Sequence, residues 1–162
     1  MPLPIVGNKQ SREATHPVID AARLMDIANQ VDEMMADMGE SELTPELVQD
    51  LADDIGTRES FVYAAVAAFS HLPCDASDEL RVSMCVGNCQ RFGALELLDK
   101  VLSVHGKRRF EGKASFGINV LSCMDRCDEG PIVKFQTPDG VAGMTLVSME
   151  DLDEQLGLLL AE

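Results

Sequence analysis

Positive charge is scarce in this chain: 13 lysines and arginines face 28 aspartates and glutamates, for a net charge of −15. A surface of that sign repels the phosphate backbone whose counterion release drives nucleic-acid binding, which argues against DNA and RNA partners. Long apolar runs are missing too. The longest, Phe61 to Phe69, falls far short of the roughly 20 residues that a membrane helix needs. Residues 1–10 hold prolines and polar side chains where a secretory leader has a basic stretch and an apolar core. The expected location is therefore cytoplasmic, whether or not the protein sits beside a membrane complex. No G-x-G-x-x-G and no P-loop lysine is present, so no nicotinamide, flavin or nucleotide site is visible. No carboxylate pair or nucleophile–base set can be singled out, and no catalytic residue is expected.

What is present suits a globular chain. The 162 residues are 46% apolar and 25% charged, enough for one ordinary domain, or for a helical piece joined to a domain of about eighty to ninety residues. Charge is uneven: residues 1–80 carry −12, residues 81–134 carry +3 and residues 135–162 carry −6. The basic middle third also holds Cys85, Cys89, Cys123 and Cys127, with Cys74 just outside it. An odd number of cysteines in a cytosolic setting favours metal binding over a disulfide framework.

Residues 1–16 lack periodicity and read as a tail ending at His16-Pro17. From Val18, apolar residues recur every three or four positions until Gly39, which predicts a long amphipathic helix. Thr44-Pro45 caps a second helix that reaches Ile55-Gly56. Thr57, with Glu59 behind it, is expected to cap a third, Phe61 to Leu72, apolar nearly all round and so centrally packed. Residues 17–72 thus form a helical module and residues 73–80, rich in helix breakers, a linker. In residues 81–162 the pattern changes to short strands near 80–85, 116–121, 132–136 and 141–147. A helix with Phe92, Leu95, Leu98, Val101 and Leu102 on its buried stripe follows the first strand, and Gly106 is its expected C-cap. Ser148 and Asp151 resemble a capping box that opens a last helix to Leu160. The order is βαβββα, an α/β sandwich, behind an N-terminal three-helix module.

The chemistry lies in Cys85-x3-Cys89, thirty-three intervening residues, and Cys123-x3-Cys127. Each pair follows a predicted strand, so two strand ends can converge on one site. Four thiolates suit the irons of a [2Fe-2S] cluster or a structural zinc, since both prefer soft, deprotonated sulfur. Zinc knuckles ordinarily place two residues between paired ligands rather than three, and no Cys-x-x-Cys of a dithiol oxidoreductase occurs. With four thiolates available, His16, His71 and His105 are not needed as ligands. Cys74 reads as a structural or surface thiol. Met25, Met34, Met35 and Met38 fall at helical spacing, as core or as an adaptable docking face. Lys107, Arg108 and Arg109 complement a helix end, or offset the charge of a thiolate-held cluster.

Cys85-Val86-Gly87-Asn88-Cys89 and Val120-Leu121-Ser122-Cys123-Met124-Asp125-Arg126-Cys127-Asp128-Glu129-Gly130-Pro131 resemble the thioredoxin-like [2Fe-2S] ferredoxin family. That family includes the small iron–sulfur subunit of NADH:ubiquinone oxidoreductase, with relatives in NAD-dependent formate dehydrogenases and bidirectional hydrogenases. The helical stretches at 43–56 and 61–69, Thr137-Pro138-Asp139-Gly140 and the closing helix are similar too, so the likeness covers roughly residues 17–162 at the level of pattern. Two departures are visible. The family's complex-bound subunits separate the first cysteine pair by four residues, and they often carry small residues where Met124-Asp125-Arg126 stands.

The resemblance implies that residues 81–162 form a thioredoxin-like domain in which Cys85, Cys89, Cys123 and Cys127 hold one [2Fe-2S] cluster. Gly87 and Asn88 would let backbone N–H groups approach sulfur, and Pro131 matches the family proline after the last cysteine. The implied role is an electron-transfer subunit, non-catalytic by itself, within an NAD(P)H-linked oxidoreductase. FMN and NAD would sit on a partner flavoprotein, with further iron–sulfur subunits conceivable and no membrane span. A stand-alone [2Fe-2S] ferredoxin and a zinc-bound or cluster-free structural adaptor are the alternatives.

Overall fold

The computed structural model describes residues 18–70, 72–74, 79–113, 116–122, 130–144 and 147–160. Five α-helices and a four-stranded mixed sheet make up the described part. The helices α1 (Ala21–Met38), α2 (Pro45–Ile55) and α3 (Glu59–Phe69) come first, followed by β1 (Arg81–Cys85) and a 3-10 turn (Asn88–Phe92). Then come α4 (Ala94–Phe110), β2 (Gly117–Leu121), β3 (Val133–Thr137), β4 (Gly140–Met144) and α5 (Met149–Leu159). The βαβββα order expected after residue 80 is the order observed.

Local chemistry sets the boundaries. α1 opens three residues later than its periodicity suggests, because the Asp20 carboxylate accepts from the Ala22 N–H and caps it there. Gly39, at φ 71°, closes it. Thr44 accepts from the Leu47 N–H at 3.2 Å, with Pro45 at the first helical position, as the sequence predicts for α2. Thr57 does not cap α3. Its N–H bonds back to the Ala52 carbonyl at 3.0 Å and helps close α2. Arg58 therefore takes the N-cap position without a side-chain cap, and the Thr57 hydroxyl is buried with no partner. The Arg58 guanidinium pairs with Asp99 and lies over the Phe61 ring at 4.9 Å, fastening the start of α3 to α4.

α4 runs one turn past its expected stop. Gly106 is exposed within the helix, where it costs about 1 kcal/mol relative to alanine. Gly112, at φ 70°, takes the left-handed position just beyond. Lys107, Arg108 and Arg109 then occupy the last turn, where cations face the negative end of the helix dipole. Arg109 also pairs with Glu46 at 3.0 Å, a second tie between α4 and the N-terminal helices. The capping box of α5 forms as predicted: Ser148 Oγ accepts from the Asp151 N–H at 3.1 Å and Asp151 Oδ2 accepts from the Ser148 N–H at 3.0 Å.

The sheet order is β2-β1-β3-β4. β1 and β2 are parallel, joined through α4, while β1–β3 and β3–β4 are antiparallel. The Gly130–Pro131 peptide bond ahead of β3 is cis. α3 is central, packing on α1, α2, α4 and β2, with Val62 to Val66 buried. One apolar core runs from Leu24, Val31 and Met35 through Tyr63 to Val82, Leu98, Phe116 and Leu152. Residues of the helical segment and of the sheet thus share one apolar core. The methionines of α1 divide: Met35 is core and Met34 packs against it, while Met25 and Met38 are exposed. No helix among the described residues is long and apolar enough to cross a membrane.

Candidate metal centre

Alternation along β1 buries Val82 and Met84 against the core and delivers Cys85 to the strand end, 1% exposed. Val86 and Gly87 turn the chain, and the Gln90 N–H bonds back to the Gly87 carbonyl at 3.0 Å. The 3-10 turn returns Cys89 to the interior, 0% exposed. Cys85, Cys89 and Ala94 form a small buried group of their own, apart from the main core. The three-residue insert therefore brings both sulfurs of the first pair to one place.

β2 brings the second cysteine segment alongside. Cys85 pairs in register with Leu121, and past the strand end the Val86 N–H still bonds to the Leu121 carbonyl at 2.8 Å. Cys85 Sγ lies 3.8 Å from the Ser122 carbonyl oxygen. Gly87 lies so close that a Cβ placed on it would meet that oxygen at 1.9 Å, so only glycine allows this approach. Ser122 is the residue before Cys123. Cys123 and Cys127, with Met124, Asp125, Arg126, Asp128 and Glu129, lie outside the described residues, as do His16 and His71.

Among the described residues no three His, Cys, Asp or Glu side chains gather as a metal site; two of the four expected ligands are not among them. The donor chemistry at hand fits a thiolate-held group: two buried sulfurs sit at one strand end, pressed against the segment that leads into the second pair. Cys74 stands nearby but outside this group. It lines a cavity of about 260 Å3 together with Val66, Ser70, Leu121 and Ser122. Burial pushes its thiol pKa up, only partly offset by a backbone hydrogen bond from Val120, so it is a poor nucleophile.

A cavity of about 500 Å3 lies between α2, the α2–α3 turn and α4, and none of its described lining residues belongs to the cysteine loops. His105 borders it and is itself buried, edge-on to Phe116 at 5.2 Å between ring centroids. Glu59, on the same cavity, has its pKa raised by burial and by the charges of Asp53 and Asp99. Gln90 was not a candidate from sequence. Its only signal there is a polar residue directly after a cysteine, yet it is 3% exposed with both ends of its amide engaged.

Comparison with known proteins returns no matching family model and no matching characterised protein.

Proposed function

We propose that this chain is an electron-transfer subunit that holds one [2Fe-2S] cluster on Cys85, Cys89, Cys123 and Cys127. It would exchange electrons with the FMN of a partner flavoprotein in an NAD(P)H-linked oxidoreductase. The observation that carries the reading is the hydrogen bond from the Val86 N–H to the Leu121 carbonyl, continuing the parallel β1–β2 pairing past Cys85. It holds the loop of the first cysteine pair beside the strand end from which the sequence runs on to the second pair, which supports one shared site. The β1-α4-β2 unit followed by an antiparallel hairpin and a closing helix supports a thioredoxin-like assignment for residues 81–162.

The chain's own work is to bind, exclude water and dock. Cys85 and Cys89 supply sulfur from a dry pocket, and Gly87 permits the two loops to touch. Leu121 presents an apolar side chain, 40% exposed, at the rim of the site, where a partner can pack close enough for electron transfer. A bound [2Fe-2S] group supplies reversible one-electron chemistry, tuned by the hydrogen bonds and charges around its sulfurs. The N-terminal helices share the core of the sheet, which favours a complex-bound subunit with a docking module over a small shuttle.

Iron, zinc and acid-labile sulfide analysis of anaerobically purified protein, with an EPR spectrum after dithionite reduction, tests the proposal. Two irons and two sulfides per chain are expected, with a reduced S = 1/2 signal that Cys127→Ser abolishes. One zinc and no sulfide, in protein isolated without reconstitution, would make the chain a structural adaptor and end the redox reading.

A further inference from the structure

Three hydrogen bonds meet at the loop of the first cysteine pair, one of them from a residue far away in sequence. The Ile19 N–H donates to Gln90 Oε1 at 2.9 Å, across 71 positions. Gln90 Nε2 donates to the Val86 carbonyl at 2.8 Å. The Val86 N–H donates to the Leu121 carbonyl at 2.8 Å. The Gln90 side chain thus joins the segment ahead of α1 to the loop between Cys85 and Cys89, and the backbone of that loop is bonded in turn to the end of β2.

We infer that Gln90 is a positioning residue that ties the start of α1 to the loop between Cys85 and Cys89, so that the site's grip on its cluster and its potential depend on where α1 begins. The inference rests on the cluster reading above. Three observations carry it. The amide orientation is fixed by its partners, since a flip would set N–H against N–H at Ile19 and C=O against C=O at Val86. Gln90 is 3% exposed, so water cannot replace either bond if the side chain is lost. Ile19 precedes the N-cap Asp20, so its N–H has no place in the helix ladder and takes its hydrogen bond from this amide.

Glutamine alone suits the position. Glutamate keeps the acceptor for Ile19 but opposes the Val86 carbonyl, asparagine is a methylene short, and methionine fills the space with neither bond. The Val86 carbonyl belongs to the peptide that joins Val86 to Gly87, so a tilt of it shifts the loop that leads away from Cys85 and makes the close approach to Ser122. Outer hydrogen bonds of this kind orient ligands and tune the group they hold.

The experiment uses the full chain with Gln90→Met and Gln90→Glu beside wild type. It reads amide hydrogen exchange at Ile19 in iron-free protein, and the EPR line shape and midpoint potential of dithionite-reduced, anaerobically purified protein. Gln90→Met is expected to speed Ile19 exchange on the order of tenfold and to shift both the line shape and the potential. Gln90→Glu is expected to retain the Ile19 protection while shifting line shape and potential. An unchanged line shape and potential in Gln90→Met overturns the inference, whatever happens at Ile19. If Gln90→Met does not fold, the same unchanged pair in Gln90→Glu overturns it. Wild type without iron or sulfide removes the cluster reading instead, and Ile19 exchange in the two variants still decides whether Gln90 ties α1 to the loop.

Discussion

Gly87→Ala attacks the closest approach in the candidate site. The new Cβ would lie 1.9 Å from the Ser122 oxygen, and reaching even 3.0 Å requires the loops to part by about 1.1 Å. Parting by that much carries the 2.8 Å Val86–Leu121 hydrogen bond to as much as about 3.9 Å, outside bonding range. Losing that bond costs about 0.5–1.5 kcal/mol and the overpacking about 1–3 kcal/mol. The variant is expected to lose about 1.5–4.5 kcal/mol, a large share of a typical stability of about 5–15 kcal/mol. Urea unfolding of the iron-free protein measures this, with an unchanged slope showing that the unfolded state is not involved. Gly106→Ala is the control: nothing lies within 4 Å of its Cβ position, and inside α4 it should gain about 0.5–1 kcal/mol. In anaerobically purified protein Gly87→Ala should also carry less iron than wild type. Wild-type stability within about 0.5 kcal/mol, together with full iron content, would refute the idea that the two loops are held in contact through a gap only glycine fits.

Four further outcomes follow from single features. Ser148→Ala removes the acceptor of the α5 capping box and should cost about 1 kcal/mol in urea unfolding. Glu59 has a raised folded pKa, so the native state binds its proton more tightly than the unfolded chain, and stability falls as pH rises through the carboxylate range. Glu59→Gln should therefore raise Tm at pH 7 and leave it unchanged below about pH 4, where both states are protonated. Tyr63 is the only tyrosine, no tryptophan is present, and burial pushes the phenol well above its ordinary range, with nearby Cys74, Glu59 and Glu46 adding to the effect. Phenolate absorbance should accordingly appear only when the protein unfolds at high pH, as far-UV circular dichroism recorded alongside would show. Cys74→Ser should leave iron content at the wild-type level, since that thiol stands outside the Cys85–Cys89 group.

Much of the fold was legible because the decisive signals are local. Thr44-Pro45, Gly39, Gly56 and the Ser148/Asp151 pair act within a turn of where they stand, and each does what its chemistry predicts. The misplacements share a cause as well. Thr57 looks like an N-cap because it precedes Glu59, but its N–H is already used to end α2 at Gly56. Gly106 looks like a stop, but it faces open space and the cationic turn beyond it is stabilised by the dipole and by Glu46. In both places the outcome is decided by residues of another element, Ala52 in α2 for Thr57 and Glu46 pairing with Arg109 beyond Gly106, and a propensity read along the chain cannot see them.

The candidate site divides the same way. Cysteine spacing shows which residues can serve as ligands, because soft sulfur at repeated short intervals has few other uses. It does not show what fixes the loop of the first pair. The Gly87–Ser122 approach and the Gln90 amide do so, and their partners, Ser122 O and Ile19 N, are backbone atoms of residues distant in sequence. Neither leaves a pattern in composition or periodicity. Cys85 and Cys89 stand out as candidate ligands from their spacing alone. What this fold adds is a backbone that closes on them from two sides, with one glycine setting how near it comes and one buried amide holding it there.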